Sequence, residues 1–228
     1  MKILALDTSS DACSVALLID GEARVHTELA PRRHTELILP MIEQLLAEAG
    51  IGLGALDGLA FGRGPGSFTG VRIATGVAQG IAFGADIPVA PVSTLAALAS
   101  GCRREQGQGR VLAAFDARMG EVYWAACEAR GEGRVEFLGS EIVCAPGQVP
   151  LPPGEGWHGA GSGWSVYGTE LLQRVGGDVT GLSPDLQCSA WDIALIGQRQ
   201  IAAGQGVEAA QAQPVYLRNE VAWKKNPS

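Results

Sequence analysis

Two segments of the 228-residue chain repeat one another. Ile3-Leu4-Ala5-Leu6-Asp7, a turn, and Ser14-Val15-Ala16-Leu17 correspond, at one constant offset and without a gap, to Leu112-Ala113-Ala114-Phe115-Asp116, a turn, and Tyr123-Trp124-Ala125-Ala126. Each copy reads as strand, aspartate, short turn, strand. An internal repeat limits the architecture before any motif does, because each copy has to fold into the same supersecondary unit. The expectation is a pair of hairpin-led α/β units facing each other; the alternative is chance similarity over a short match.

The rest of the chain fills in around these copies. Strands are expected at 2–7, 13–19 and 22–29, with Asp20-Gly21 as a hairpin turn. A helix over 34–49 places Leu37, Ile38, Met41, Ile42, Leu45 and Leu46 on one face, stops at Gly50 and is interrupted by Pro40. A strand at 56–61, a helix at 69–85, a strand at 87–92 and a short helix at 93–100 follow. The polar, glycine-rich stretch 101–109 reads as a boundary between an N-terminal lobe (1–100) and a C-terminal lobe (110–221). Beyond the second hairpin come a strand at 135–143, a loop at 146–156, a glycine turn at 159–164 and a helix at 166–175. A connector is expected at 180–188, then a helix at 189–203 with Ser189 and Asp192 spaced as a capping box. Residues 214–218 read as a last strand or edge segment, and 222–228 as a frayed tail.

Composition closes off several functions. Hydrophobic residues make up 46% of the chain and charged residues 18%, which is a folded globular composition. A formal net charge of −7 is wrong for gripping a nucleic-acid backbone unaided, because that affinity comes from neutralising phosphates. No apolar run approaches a membrane span or a signal peptide, so a cytoplasmic protein is expected. Five widely spaced cysteines with no Cys-x-x-Cys pair point to reduced thiols rather than a disulfide framework or a zinc site.

The densest local signal is Gly62-Arg63-Gly64-Pro65-Gly66-Ser67-Phe68-Thr69-Gly70-Val71-Arg72, set between an apolar strand and a helix. Ser67 or Thr69 can cap that helix, and its free N–H groups can face an anion. The stretch matches neither the phosphate loop, which needs Gly-Lys-Ser/Thr, nor Gly-x-Gly-x-x-Gly. Two readings stay open: a tight turn that lets the helix lie close to its sheet, or a nucleotide contact. In the following helix Ile73, Val77 and Ile81 form an apolar stripe, while Gly76, Gly80 and Gly84 recur every four residues. Glycine weakens a helix, so three in register imply close approach of another backbone, within the domain or across a subunit interface.

Chemistry is harder to find. His26, His34 and His158 have no partner histidine at ligand spacing, and no Gly-x-Ser-x-Gly elbow occurs. Asp7 and Asp116 are the best carboxylates for a magnesium–nucleotide, since the repeat would bring them face to face from strand ends. Each can equally organise its own turn by accepting nearby N–H groups, and that reading is favoured.

Residues 3–8, 13–17, 34–41, 62–73, 92–95, 116–124, 214–218 and 221–225 together resemble the TsaB (YeaZ) family of the bacterial threonylcarbamoyladenosine pathway. The Gly62–Arg72 string is specific to that family in a way the generic glycine motifs are not. The resemblance implies the two-lobed fold shared by actin, sugar kinases and heat-shock ATPases, with a ribonuclease H-like unit in each lobe. It implies a subunit that is not catalytic by itself and supports a TsaD-like enzyme. That enzyme transfers threonylcarbamoyl from its adenylate to N6 of an adenosine beside the tRNA anticodon. A TsaE-like ATPase completes the assembly, tRNA is met through the complex, and a homodimer forms when the chain is alone. The metal-binding His-x-x-x-His of TsaD is missing here. The resemblance also implies an interface on the first two helices, at Leu37, Met41, Leu45, Ile73, Gly76, Val77, Gly80 and Gly84. No cofactor is implied for the chain alone; ATP or ADP with magnesium at Asp7, Thr8, Gly64, Gly66 and Ser67 is the contact the residues leave open. The rivals are a small-molecule kinase or ATPase of the same fold and, behind it, a peptidase.

Overall fold

A computed structural model describes residues 1–218; the tail expected at 222–228 lies outside the described residues. Strands β1 (Lys2–Asp7), β2 (Ala12–Ile19) and β3 (Glu22–Leu29) form an antiparallel meander. Asp20 and Gly21 both take positive φ at its second turn, as a tight hairpin matched to strand twist requires. Helix α1 (His34–Ala49) runs through Pro40 and ends where Gly50 turns left-handed. Strand β4 (Gly58–Gly64) then pairs parallel to β1, helix α2 (Phe68–Ala85) crosses over, and β5 (Val89–Ser93) pairs parallel to β4.

After helix α3 (Thr94–Gln106) the same course is repeated. Strands β6 (Arg110–Arg118), β7 (Glu121–Gly131) and β8 (Arg134–Phe137) are antiparallel, and the short β9 (Ile142–Cys144) also pairs with β7. Strand β10 (Trp157–Ala160), helix α4 (Ser162–Val175), strand β11 (Val179–Ser183) and helix α5 (Ala190–Ala202) complete it. The first sheet has the order β3-β2-β1-β4-β5, and the second, from its opposite edge, β8-β7-β6-β10-β11. The orders coincide position for position, so the short sequence repeat marks a duplication of the whole unit. This is the duplicated α/β architecture of the actin-like fold.

Three apolar clusters hold the layers. Helices α1 and α2 cover the outer face of the first sheet through Ile38, Leu45, Ala74 and Ala78 against Leu4, Leu6 and Phe61. Helix α4 covers the outer face of the second, where Trp124, Trp157 and Trp164 fill the layer. Between the sheets lie α3 and α5, packed among small residues such as Ala5, Ala16, Ala60, Ala113 and Ala125. The helices are exchanged: α3 lies on β6 and β7 of the second sheet, and α5 on β1, β2, β4 and β5 of the first. A Cβ at Gly197 would stand 2.3 Å from the Ala60 Cβ, which shows how closely α5 approaches the first sheet.

Several sequence readings change, and the one strand expected at 135–143 is two, β8 and β9. Residues 101–106 are helix, because Cys102 is buried in the central core and Arg104 reaches Asp192 of α5 at 2.8 Å. A cut at 101–109 therefore misses the exchange of α3 and α5, and the return of residues 207–215 to the first sheet through Val207–Val89 and Val215–Arg63 bonds. Strand β11 lies within the expected connector. Ser189 caps α5 by accepting from the Trp191 N–H, and Asp192, drawn to Arg104, does not close a capping box. Residues 214–218 are not a strand; Val215 donates one backbone bond to the Arg63 carbonyl at 2.8 Å.

Candidate functional site

The glycine loop is shaped by the turn it leans on. A Cβ at Gly62 would lie 2.0 Å from Asp7 Oδ1, one at Gly66 2.5 Å from the Ser9 carbonyl oxygen, and one at Gly70 1.8 Å from the Thr8 carbonyl oxygen. Three glycines thus face three consecutive residues of the β1–β2 turn. The Ser67 N–H donates to the Ser9 carbonyl at 2.7 Å, and the Thr8 hydroxyl donates to the Gly70 carbonyl at 2.6 Å. Ser67 is the helix cap, its Oγ accepting from the Gly70 N–H at 3.3 Å. Of the two readings left open by the sequence, the close turn accounts for all three glycines.

A cavity of about 530 Å³ opens between the lobes. One wall is the β1–β2 turn (Ser9, Ser10, Asp11) with Gly66, Ser67 and Phe68; the other is the β6–β7 turn (Asp116, Ala117, Arg118) with Ser162 and Ser165 at the start of α4. Gly66 and Ser67 therefore line the cleft. Asp7 and Thr8 are fully buried behind it, and Gly64, at φ +97°, packs against the Val215 carbonyl.

Asp7 and Asp116 do not face each other as expected from the repeat. Asp116 lines the cleft, its Oδ1 accepting from the Arg118 N–H at 2.8 Å and from the Tyr167 hydroxyl at 3.3 Å; its Oδ2 lies 3.1 Å from the Arg118 guanidinium. Asp7 turns inward. Its Oδ2 accepts from the Ser9 N–H and hydroxyl, and its Oδ1 has no partner among the described residues. Burial pushes its carboxyl up to about 6, against the downward pull of the Ser9 bonds. The neighbouring Cys188 thiol is raised as well, by burial first and by Asp7 second.

The second candidate surface is the outer side of α1 and α2. Gly76, Gly80 and Gly84 are exposed, and a Cβ on any of them would meet nothing within 4 Å. Their register thus serves no packing among the described residues. Arg72 and Phe83, 84% exposed, flank this open strip. Met41 and Leu45 were expected here and belong instead to the core under α1, because an amphipathic helix turns its apolar stripe to its own sheet. Leu37, Ile73 and Val77 are half-buried against the same core. The exposed apolar side chains are Leu39, Phe68 and Phe83, which stripe counting passed over because each stands off the core-facing stripe.

Two histidines have ordinary roles: His26 sits 3.1 Å from Glu48, and His158 2.9 Å from the Ser183 hydroxyl; His34, buried at the start of α1, has no partner for Nε2 among the described residues. Among the described residues no three His, Cys, Asp or Glu side chains come together as a metal site, and no helix is long and apolar enough to cross a membrane.

Comparison with known proteins decides the family. The chain is 46% identical, over its whole length and 99% of the relative's, to the tRNA threonylcarbamoyladenosine biosynthesis protein TsaB of Escherichia coli. It belongs to the TsaB family. The TsaB of Haemophilus influenzae is 44% identical, with all of this chain and 98% of that protein aligned. The solved structure of YeaZ from Pseudomonas aeruginosa superposes with a TM-score of 0.88 at 49% identity, covering 95% of this chain and 99% of that one. Residues 22–157 also match the family model of TsaD, tRNA N6-adenosine threonylcarbamoyltransferase. TsaB and TsaD therefore share a recognisable unit in this region.

Proposed function

We propose that this chain takes part in tRNA threonylcarbamoyladenosine biosynthesis as a non-catalytic scaffold of the threonylcarbamoyl transferase. It supports a TsaD-like subunit, which moves threonylcarbamoyl from its adenylate to N6 of the adenosine beside the anticodon. The observation that carries this reading is the open glycine strip of α2, at Gly76, Gly80 and Gly84. A helix that forgoes side chains on an exposed face, at roughly 1 kcal/mol per glycine, is built for close approach by another helix. A TsaD-like partner related by fold supplies such a helix, and a second copy of this chain takes its place when the partner is absent. A TsaE-like ATPase joins this assembly, and tRNA is held by the complex, as the net charge of −7 favours. The chain needs no cofactor of its own.

Gly80→Leu tests the surface. Nothing lies within 4 Å of the added Cβ, so the variant folds, while the side chain props the partner helix away. Co-elution with the TsaD-like subunit should be lost with the thermal midpoint no lower than that of wild type. Full-strength co-elution would move the interface elsewhere.

The cleft favours a second reading, a small-molecule kinase or ATPase with ATP or ADP and magnesium at Gly66, Ser67 and Asp116. It predicts magnesium–ATP turnover by the isolated protein, impaired by Asp7→Asn. The inward turn of Asp7, with its carboxylate behind the cleft wall, weighs against it.

A further inference from the structure

The end of the described chain crosses from one lobe to the other at the mouth of the cleft. Ala212 is buried in the core under α2, where its carbonyl accepts from Gln79 at 2.8 Å. Four residues on, the Tyr216 hydroxyl accepts from Arg72 Nε at 2.9 Å. The strap then leaves the first lobe. Arg218 donates from Nε to Glu121 at 3.1 Å and from Nη2 to Glu121 and to the Ala117 and Arg118 carbonyls, all on the β6–β7 turn of the second lobe.

That turn is the strained one of the two duplicated hairpins. Arg118, Met119 and Gly120 are all left-handed, at φ 62°, 58° and 78°, and two of them carry side chains that disfavour the conformation. Arg218 holds the carbonyls of the two residues that enter this run. An arginine fork suits the task, because it can satisfy a carboxylate and two carbonyls at once.

We propose that residues 212–218 are a latch that sets the spacing of the cleft walls, released when Arg218 leaves the β6–β7 turn. Deep in the molecule the lobes share the core around α3 and α5, which fixes the base. Higher up, Glu141 of the second lobe takes Arg63 and the Ser93 hydroxyl of the first, with side chains only 12% and 20% exposed at the ion pair; this is the pivot. The Arg218–Glu121 pair stands at the mouth, more open to water at 21% and 36%. An ion pair placed there yields to salt before the pivot does. Arg218 also lines the cavity, so release changes both its width and its charge.

The test uses the full chain alone, so its outcome is independent of the proposed partner. Amide hydrogen exchange is compared for wild type, Arg218→Ala, Glu121→Ala and the double variant. Residues 116–121 and 66–70 should exchange about tenfold faster in each single variant, with β1 and β4 unchanged. The double variant should go no further than Arg218→Ala, because that variant already lacks the Glu121 contact together with the two carbonyl bonds. Raising wild type to 1 M KCl should move the same peptides in the same direction. Unchanged exchange at 116–121, or effects that sum in the double variant, would overturn the latch. Loosening confined to residues 214–218 would overturn it too. If Arg218→Ala does not fold, Arg218→Lys is read the same way: it keeps the charge and loses the fork, so it should loosen 116–121 by an intermediate amount, and no change there would sink the idea.

Discussion

Asp7 and Asp116 occupy equivalent places in the two copies, each at the mouth of its first hairpin, and their surroundings have diverged. Asp116 lines the cleft and is bonded to Arg118 and Tyr167. Asp7 is sealed under Gly62 with one oxygen unpartnered and a carboxyl pushed up to about 6. The glycine loops beside them differ in step. In the first copy Gly62, Gly66 and Gly70 bring loop and turn into contact, whereas in the second Gly161 leans on Ala114 and Leu98, and Gly163 on Ala114. A duplicated cleft normally offers two matching walls to a ligand; here the first wall is packed against itself and its aspartate withdrawn. Such divergence suits a lobe kept for its outer surface rather than for its cleft.

The largest effect expected from this asymmetry is steric. Gly70→Ala drives a methyl into the Thr8 carbonyl, which backbone on both sides prevents from yielding, while Gly163→Ala meets the Ala114 Cβ at 2.8 Å. Overpacking costs about 1–3 kcal/mol in most cores and more where backbone is struck. Urea unfolding should show a loss above ~3 kcal/mol for Gly70→Ala and about 1–2 kcal/mol for Gly163→Ala; equal losses would erase the distinction between the loops.

Next comes pH. Asp7 binds its proton more tightly folded than unfolded, so its contribution to stability is complete below about pH 4 and is lost as pH rises through about 6. The shift from 3.8 to about 6 corresponds to roughly 3 kcal/mol at full ionisation. Asp7→Asn should therefore flatten the fall in thermal midpoint between about pH 4 and pH 6. A variant as steep as wild type would place the titration on another group.

A smaller gain is expected at the second hairpin. Met119→Gly relieves one left-handed side chain at φ 58° and should stabilise by roughly 0.5–1 kcal/mol in urea. Destabilisation would mean that the contact of Arg218 Nη1 with the Met119 sulfur, at 3.7 Å, outweighs the backbone strain. Last, Gly80→Leu should change folding stability by no more than about 1 kcal/mol, and upward, since an exposed helical glycine gives way to a better helix former. Its consequence lies in association.

Much of this molecule is legible in its sequence because hairpins and amphipathic helices are local. Ile3–Asp7 and Leu112–Asp116 announce the duplication, Asp20-Gly21 the turn, and Gly50 the end of α1. What escapes is long-range. Arg103 and Arg104 read as linker until Asp192, far away in sequence, is seen to pair with Arg104 across the helix layer. Strand β11, with a glycine at its centre, owes its place to β10 rather than to its own residues. The resemblance implies a partner surface at Met41 and Leu45, whereas their spacing says core, and the core is where they lie. The glycines of α2 could be read either way until the space around them was known. At the candidate site the residues were found in sequence and their directions were not: nothing in Asp7 and Asp116 as letters says that one turns inward.

In the proposed role the chain acts through a partner. The direct measurement is threonylcarbamoyl transfer to tRNA by the TsaD-like and TsaE-like subunits with the adenylate supplied, in the presence and absence of this protein, with this protein alone as the control. The account predicts modification only when this protein is present with its partners, and none from the protein alone. Transfer by the protein alone, or equal modification without it, would contradict the scaffold.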